Sequence, residues 1–383
     1  MPLQRAYNIK VYSPDGVTLQ KSLTTERPDD ATMMYVKNDP NFKTIINGGQ
    51  GECVLDVSAP FDNFSEGTVI NFMNVVRIYC VTINTSVSPP TQTSTLIYTG
   101  YVSRYEPYVD QNGNEGVHVT CLGLVSLLTR SYYGSPNTFS VTQTTVDPEA
   151  IAKDVIDKFN AVYSGSLIGY AGTTSTVGTN VTYTFTEQKW FDALNTTIGM
   201  AGTGWWWAIR EDGNLYFKAK PSSATHRLTM GRDIASIKAL KDAEKVINDI
   251  ILKRSGGTVT TYADATSKST YGTGSPATGK ISEIISDSSV PNGTTADQFG
   301  NKELADKKDA KISAQVTVNT NYPIDTIHVG DTCEVLSTRT GNTFFGSNNL
   351  LIVSVDYKGD TVVLELEQLN ANLGTALDQF VNG

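Results

Sequence analysis

The sequence predicts a mainly β protein with α+β insertions, carrying a β domain at each end. Three observations lead there. Apolar and polar residues alternate with a period of two at both ends of the 383-residue chain, as in strands with one buried face. Apolar residues recur at helical spacing only within 147–163, 187–200 and 295–308. Turn-forming clusters, Ser13-Pro14-Asp15-Gly16 and Asp110-Gln111-Asn112-Gly113-Asn114 among them, punctuate the alternating runs.

Residues 1–132 read as the first β domain, with strands at 7–12, 53–57, 75–84, 95–105 and 116–122. Gly48-Gly49-Gln50-Gly51 precedes the second of these. It lacks the Lys and Ser/Thr of a phosphate-binding loop, so its glycines are read as a bulge or sharp bend.

Residues 133–227 read as a small α+β domain. Asp147 is an N-cap and Pro148 suits the first turn, after which Ile151, Val155, Ile156, Phe159 and Val162 share one helical face. A Gly/Thr/Ser stretch over 164–180 leads to a strand at 181–185. A second helix is expected to open at Thr186, with Trp190, Phe191, Leu194 and Ile198 on one side. The runs 204–210 and 215–218 flank Glu211-Asp212-Gly213-Asn214 and predict a β-hairpin.

Residues 228–368 read as a second β domain with a polar insertion at about 255–310. Within it, 255–293 offers few large apolar residues beyond Tyr262, Tyr271, Ile281, Ile284 and Ile285. So little apolar surface predicts a segment that orders mainly on assembly, by lying along a neighbouring copy. Thr295-Ala296-Asp297-Gln298 has the pattern of a capping box and starts a helix that runs to about Lys308. Ile312, Ala314, Val316 and Val318 then alternate, and strands follow at 328–336, 350–356 and 361–366. The segment 369–383 is expected to form a short, weakly anchored helix.

Charge and composition exclude several classes. Lys and Arg total 30 against 39 Asp and Glu, a net charge of −9, and such a surface repels phosphate. With 39% hydrophobic and 18% charged residues, the chain resembles neither a disordered nor a membrane protein. Its start, Met-Pro-Leu-Gln-Arg, lacks the apolar core of a signal peptide. Cys53, Cys80, Cys121 and Cys333 are scattered and are expected to be free, buried thiols, which fits assembly in a reducing cytoplasm.

No pattern assigns a catalytic, cofactor-binding or metal-ligating residue, and the chain is not expected to be an enzyme. His118, His226 and His328 stand apart, with no His or Cys at ligand spacing, and no GxSxG elbow occurs. Asp15, Asp110, Asp212 and Asp360 lie in turns, where Asx geometry accounts for them. The sharpest feature is Trp205-Trp206-Trp207. In a strand, Trp205 and Trp207 share a face that either stacks on sugar rings or bases or packs on the helix carrying Trp190 and Phe191, and packing is the expectation.

Three stretches carry a resemblance. The first runs Lys43-Thr44-Ile45-Ile46-Asn47-Gly48-Gly49-Gln50-Gly51-Glu52-Cys53-Val54-Leu55 and is followed by Arg77-Ile78-Tyr79. The second is the tryptophan-rich strand with Asp212-Gly213-Asn214-Leu215-Tyr216-Phe217. The third runs from Tyr271-Gly272 through the 295–308 helix to Val329-Gly330-Asp331-Thr332-Cys333-Glu334-Val335. Their order resembles the bacteriophage tail hub family (baseplate hub or tail-associated proteins), in a short form without a C-terminal enzymatic domain. The resemblance implies two tail-tube-like β-barrel domains plus a small α+β domain. It implies a homotrimer that closes the tail tube at the virion tip and presents six similar domains around a channel. The implied partners are a distal tail or tail-tube protein, the tape-measure protein and a tip fibre or receptor-binding protein. DNA would pass without specific binding. Two other readings stay open: a distal tail ring protein or the hub of a phage-like contractile injection system, and a carbohydrate-binding β-protein using the Trp205–Trp207 strand.

Overall fold

The computed structural model describes residues 4–26, 34–58, 70–84, 91–134, 139–163, 167–242, 244–271, 279–291, 293–320, 322–337 and 349–367. The helix expected at 369–383 lies outside the described residues.

The first seven-stranded sheet is antiparallel throughout. Its spatial order is Leu19–Thr24, Gln4–Tyr12, Val75–Asn84, Thr91–Val109, Glu115–Gly123, Glu52–Ser58 and Tyr35–Val36. Alternation sets its inner face, where Tyr7, Ile9 and Val11 lie opposite Cys80, Ile78 and Val76. The 19-residue strand Thr91–Val109 pairs with Val75–Asn84 along its first half and Glu115–Gly123 along its second. Bulges at Ile78/Tyr79 and Val102/Arg104 bend these ladders.

The second seven-stranded sheet runs His226–Thr229, Thr332–Leu336, Leu350–Lys358, Thr361–Glu367, Lys311–Val318 and Ile234–Asp242. Its remaining strand, Asn41–Ile45, comes from the opposite end of the sequence and pairs antiparallel with Ser354–Lys358. Inner residues of both sheets, Ile9, Ile78 and Val119 from one and Val316, Leu364 and Val355 from the other, belong to a single continuous core. The chain is thus mainly β, as its alternation predicts.

A second core underlies the middle of the chain. Helix α1 (Pro148–Val162) begins at Asp147, whose carboxylate accepts from the Glu149 N–H at 2.9 Å. It buries Ile151, Ala152, Val155, Ile156 and Phe159 against α2 (Trp190–Ala201). The second helix starts four residues later than its apolar spacing suggests. Thr186 is held in the ladder of Val181–Thr186 with Ser140–Val146, opposite Ser140. The chain then turns at Glu187, which has φ +52°, before the helix opens.

The polar insertion carries more structure within one chain than an arm ordered by a neighbour requires, and that expectation is corrected. Asp249–Lys253 pairs with Val259–Ala263 on one side and Ser282–Ser286 on the other. Helix α3 (Ala265–Tyr271) follows the second of these strands, and α4 (Thr294–Lys307) packs across both that sheet and α2. The inner residues Ile250, Leu252, Tyr262 and Ile285 share the middle core, so few apolar residues suffice because α2 and the residues around it supply the rest. Thr295 does not cap α4 either. Its hydroxyl donates to the Thr182 carbonyl and accepts from the Thr182 N–H, tying the helix start to the strand Val181–Thr186.

Candidate functional site at the junction of the sheets

The first stretch of the resemblance is where the parts of the molecule meet. Residues 41–58 take part in three sheets in succession. Asn41–Ile45 belongs to the second large sheet. Gly48–Gly49 pairs in parallel with Ala208 and Ile209 of the tryptophan hairpin, Trp205–Ile209 with Leu215–Ala219. Glu52–Ser58 belongs to the first large sheet.

Reversing between these sheets within a few residues explains the local composition. Asn47 sits at φ +52°, in the left-handed region that Asn tolerates. Its N–H donates to the Trp207 carbonyl at 2.6 Å, and its side-chain oxygen accepts from the Trp207 N–H at 3.3 Å. A Cβ at Gly49 would lie 2.7 Å from the Ile209 carbonyl oxygen, so only glycine admits this approach. Gln50 is buried and joins the bend to the long strand, donating to the Ile97 carbonyl and accepting from the Thr99 N–H, both at 2.8 Å. The glycine run is therefore a bend, as read from the sequence.

The tryptophans serve the same junction. Trp207 is 0% exposed, stands edge-on to Phe191 at 5.5 Å, and donates from Nε1 to Asn195 at 2.9 Å. Trp206 is 2% exposed and points the other way, into the core shared by the two large sheets. Trp205 is partly buried, with its ring 5.6 Å from Phe217. The strand is thus a two-sided wedge between cores, and the sugar-stacking face is missing at Trp206 and Trp207.

A buried polar cluster fixes the hairpin to the loop preceding Thr332–Leu336. Arg210 donates to the Val329 carbonyl and to Asp331 (3.2 Å), while its guanidinium lies 4.2 Å over the Tyr216 ring. Asp331 also meets His226 Nε2 at 3.1 Å, and His226 Nδ1 meets the Tyr322 hydroxyl at 3.0 Å. His328 Nδ1 lies 3.0 Å from Glu211. Burial raises the Asp331 pKa, but His226, Arg210 and His328 outweigh it and hold the carboxyl below its ordinary value. Burial lowers the His328 pKa, and the Glu211 carboxylate outweighs it and holds the imidazole above its ordinary value.

These shifts have opposite consequences for stability. Asp331 stabilises the fold above its ordinary pKa, and that contribution goes as pH falls through the lowered value. His328 stabilises it below about 6.5, and that contribution goes as pH rises through the raised value. His328→Gln should therefore flatten the decline in melting temperature on the alkaline side and, because His328 is one of the charges that hold Asp331 down, shrink the acid limb and move it to slightly higher pH. Thermal melts of both chains across pH check this.

The other candidate residues are engaged in ring contacts, burial and turns. His118 lies against the Tyr108 ring at 4.5 Å, and its Nδ1 is 4.0 Å from Asp56. Among the described residues, no group of three His, Cys, Asp or Glu side chains is placed to hold a metal. Cys53, Cys80, Cys121 and Cys333 are free and buried. Burial pushes the Cys53 and Cys333 thiols up to about 12 and Cys80 to about 11, far from the reactive thiolate. Asp110 and Asp212 accept from backbone N–H groups in their own turns. No described helix is long and apolar enough to cross a membrane. Sequence reasoning missed Asn47, Gln50, Arg210 and Asp331 as junction residues. Two Gly-flanked polar side chains next to apolar strands, Asn47 and Gln50, were the available signal.

No family model and no curated protein matches the chain. Solved structures do. The 43 kDa tail protein of prophage MuSo2 from Shewanella oneidensis is 14% identical, with a TM-score of 0.58 over 94% of this chain and 98% of that one. The tail protein from Neisseria meningitidis MC58 is 12% identical, with a TM-score of 0.57 over 94% and 96%. The fold is that of prophage tail proteins. Prophage tail protein gp18 from Listeria monocytogenes EGD-e, 10% identical, gives a TM-score of 0.57 over 98% of this chain and all of its own. The likeness spans 94–98% of this chain and nearly the whole of each tail protein. All three relatives are tail proteins, and no enzyme is among them.

Proposed function

We propose that this chain is a structural protein of a phage tail tip, the homotrimeric hub that closes the tail tube and anchors other tip proteins. The observation that supports it most is the pair of seven-stranded sheets that share one core within a single chain. On this reading 1–132 and 228–368 are two tube-like domains, with 133–227 between them. Three copies would offer six similar sheets to a sixfold tube, so one type of contact recurs around the ring. The net charge of −9 suits a channel through which DNA passes without sticking. A distal tail or tube protein, a tape-measure protein and a tip fibre or receptor-binding protein would be its neighbours in the virion, after assembly in the host cytoplasm.

The burial of Trp206 and Trp207 speaks against the carbohydrate-binding alternative. Mass in solution, measured by sedimentation over a range of concentrations, tests the proposal. A trimer is expected; a hexamer favours the distal ring, and a monomer at every concentration removes the hub.

A further inference from the structure

Among the described strands, each large sheet leaves one run of edge backbone unpaired. In the second sheet it is the nine-residue strand Ile234–Asp242, which pairs only with Lys311–Val318 among the described strands. Ala235, Ser236, Lys238, Ala239 and Leu240 are all exposed on it. The opposite edge of that sheet, His226–Thr229, has four residues. In the first sheet the open run is the start of Leu19–Thr24, whose Leu19, Gln20 and Ser22 are exposed, whereas Leu23 is buried. The other edge there, Tyr35–Val36, has two residues.

Open edges of this length invite pairing with another chain unless something blunts them. Lys238, Lys21 and a bulge at Ile234/Ser236 blunt them in part, but neither run contains proline and both keep exposed large apolar side chains on or beside them. Leu240 is 59% exposed at one edge, and Leu19 and Val17 are 49% and 76% exposed at the other. We infer that in the assembly proposed above, on which this rests, Ile234–Asp242 of one copy adds to the Leu19–Thr24 edge of the next.

Two features select a second copy joined head to tail. The open edges lie on different sheets of the same chain, so one repeated head-to-tail contact satisfies both, and it closes a ring when its rotation matches that of the trimer proposed above. Pairing of Ile234–Asp242 with itself is disfavoured. Antiparallel self-pairing centred on the strand would set Lys238 directly opposite Lys238, and like charges there are destabilising.

Two edge variants of the full chain test it, Lys238→Glu/Leu240→Glu and Leu19→Glu/Gln20→Glu, with circular dichroism as the check on folding. Alone, each should associate at least tenfold more weakly than the unmodified chain. Mixed in equal amounts, each variant keeps the edge that the other lacks, so the mixture should give a dimer and no ring. If acidic substitutions unfold the chain, Leu240→Ser and Leu19→Ser carry the same test. Variants that assemble like the unmodified chain, or that are impaired but do not complement, overturn the edge contact and leave the hub reading standing. An unmodified chain that stays monomeric overturns both.

Discussion

Replacing Trp207 by alanine should lower the stability of this chain by roughly 3–5 kcal/mol, the range for truncating a fully buried large aromatic. The indole is 0% exposed, and the cavity would open between α2 and the hairpin, where Phe191 loses its edge-on partner. Asn195 would also lose the donor at 2.9 Å, which pushes the cost toward the upper end. Trp206→Ala should cost a similar packing energy on the other side of the strand, beneath Gly330, which leaves no room for a Cβ over that ring. Trp205→Ala, at a partly buried ring, should cost less. Denaturant melts of the three variants rank them. Unchanged stability in Trp207→Ala together with lost sugar binding would return the strand to the role of a platform.

Gly123→Ala should cost near the top of the ~1–3 kcal/mol typical of overpacking, or more, although it adds a single methyl group. The backbone there, φ −61° and ψ 153°, suits any residue, so the penalty is purely steric. The new Cβ would sit 2.6 Å from the Gln50 carbonyl carbon, against main chain that cannot rotate aside. Relief requires moving the 47–51 bend, which loosens the Gln50 bonds to Ile97 and Thr99. A melt that matches the parent chain would show that the bend is free to shift, contrary to the junction described above.

Much of the fold was legible from local pattern. Alternation marked the strands around Val76, Ile78 and Cys80 and around Val316, Val318, Leu364 and Leu366, while Asp147-Pro148 marked the start of α1. Partnership was not legible, because period two says that a strand has a buried face and not which strand lies beside it. Nothing in Asn41–Ile45 announces that its ladder lies with Ser354–Lys358. The same blindness misplaced the polar insertion. Ile250, Leu252 and Ile285 are too few for an independent core, and they become sufficient only beside α2 and α4. Thr186 and Thr295 show a different failure. Thr186 carries a helix signal that a ladder overrides, whereas the helix expected from Thr295 does form, as Thr294–Lys307, with the Thr295 hydroxyl bonded to Thr182 and not capping it. For the junction, the bend at 48–51 was read correctly, but its purpose depends on Trp207 and Thr99, which no local window contains.

The ladder between Asn41–Ile45 and Ser354–Lys358 also sets a clock on biosynthesis. About 300 residues separate the two strands, so the second sheet cannot be completed until residues 354–358 have left the ribosome. At 5–20 residues per second the early strand waits roughly 15–60 s for its partner, with an unpaired edge and its apolar Phe42 and Ile45 uncovered. Closing so long a loop makes the final docking slow compared with local hairpins. An N-terminal fragment expressed alone should therefore be sticky, and the complete chain should gain its resistance to protease late and in one step.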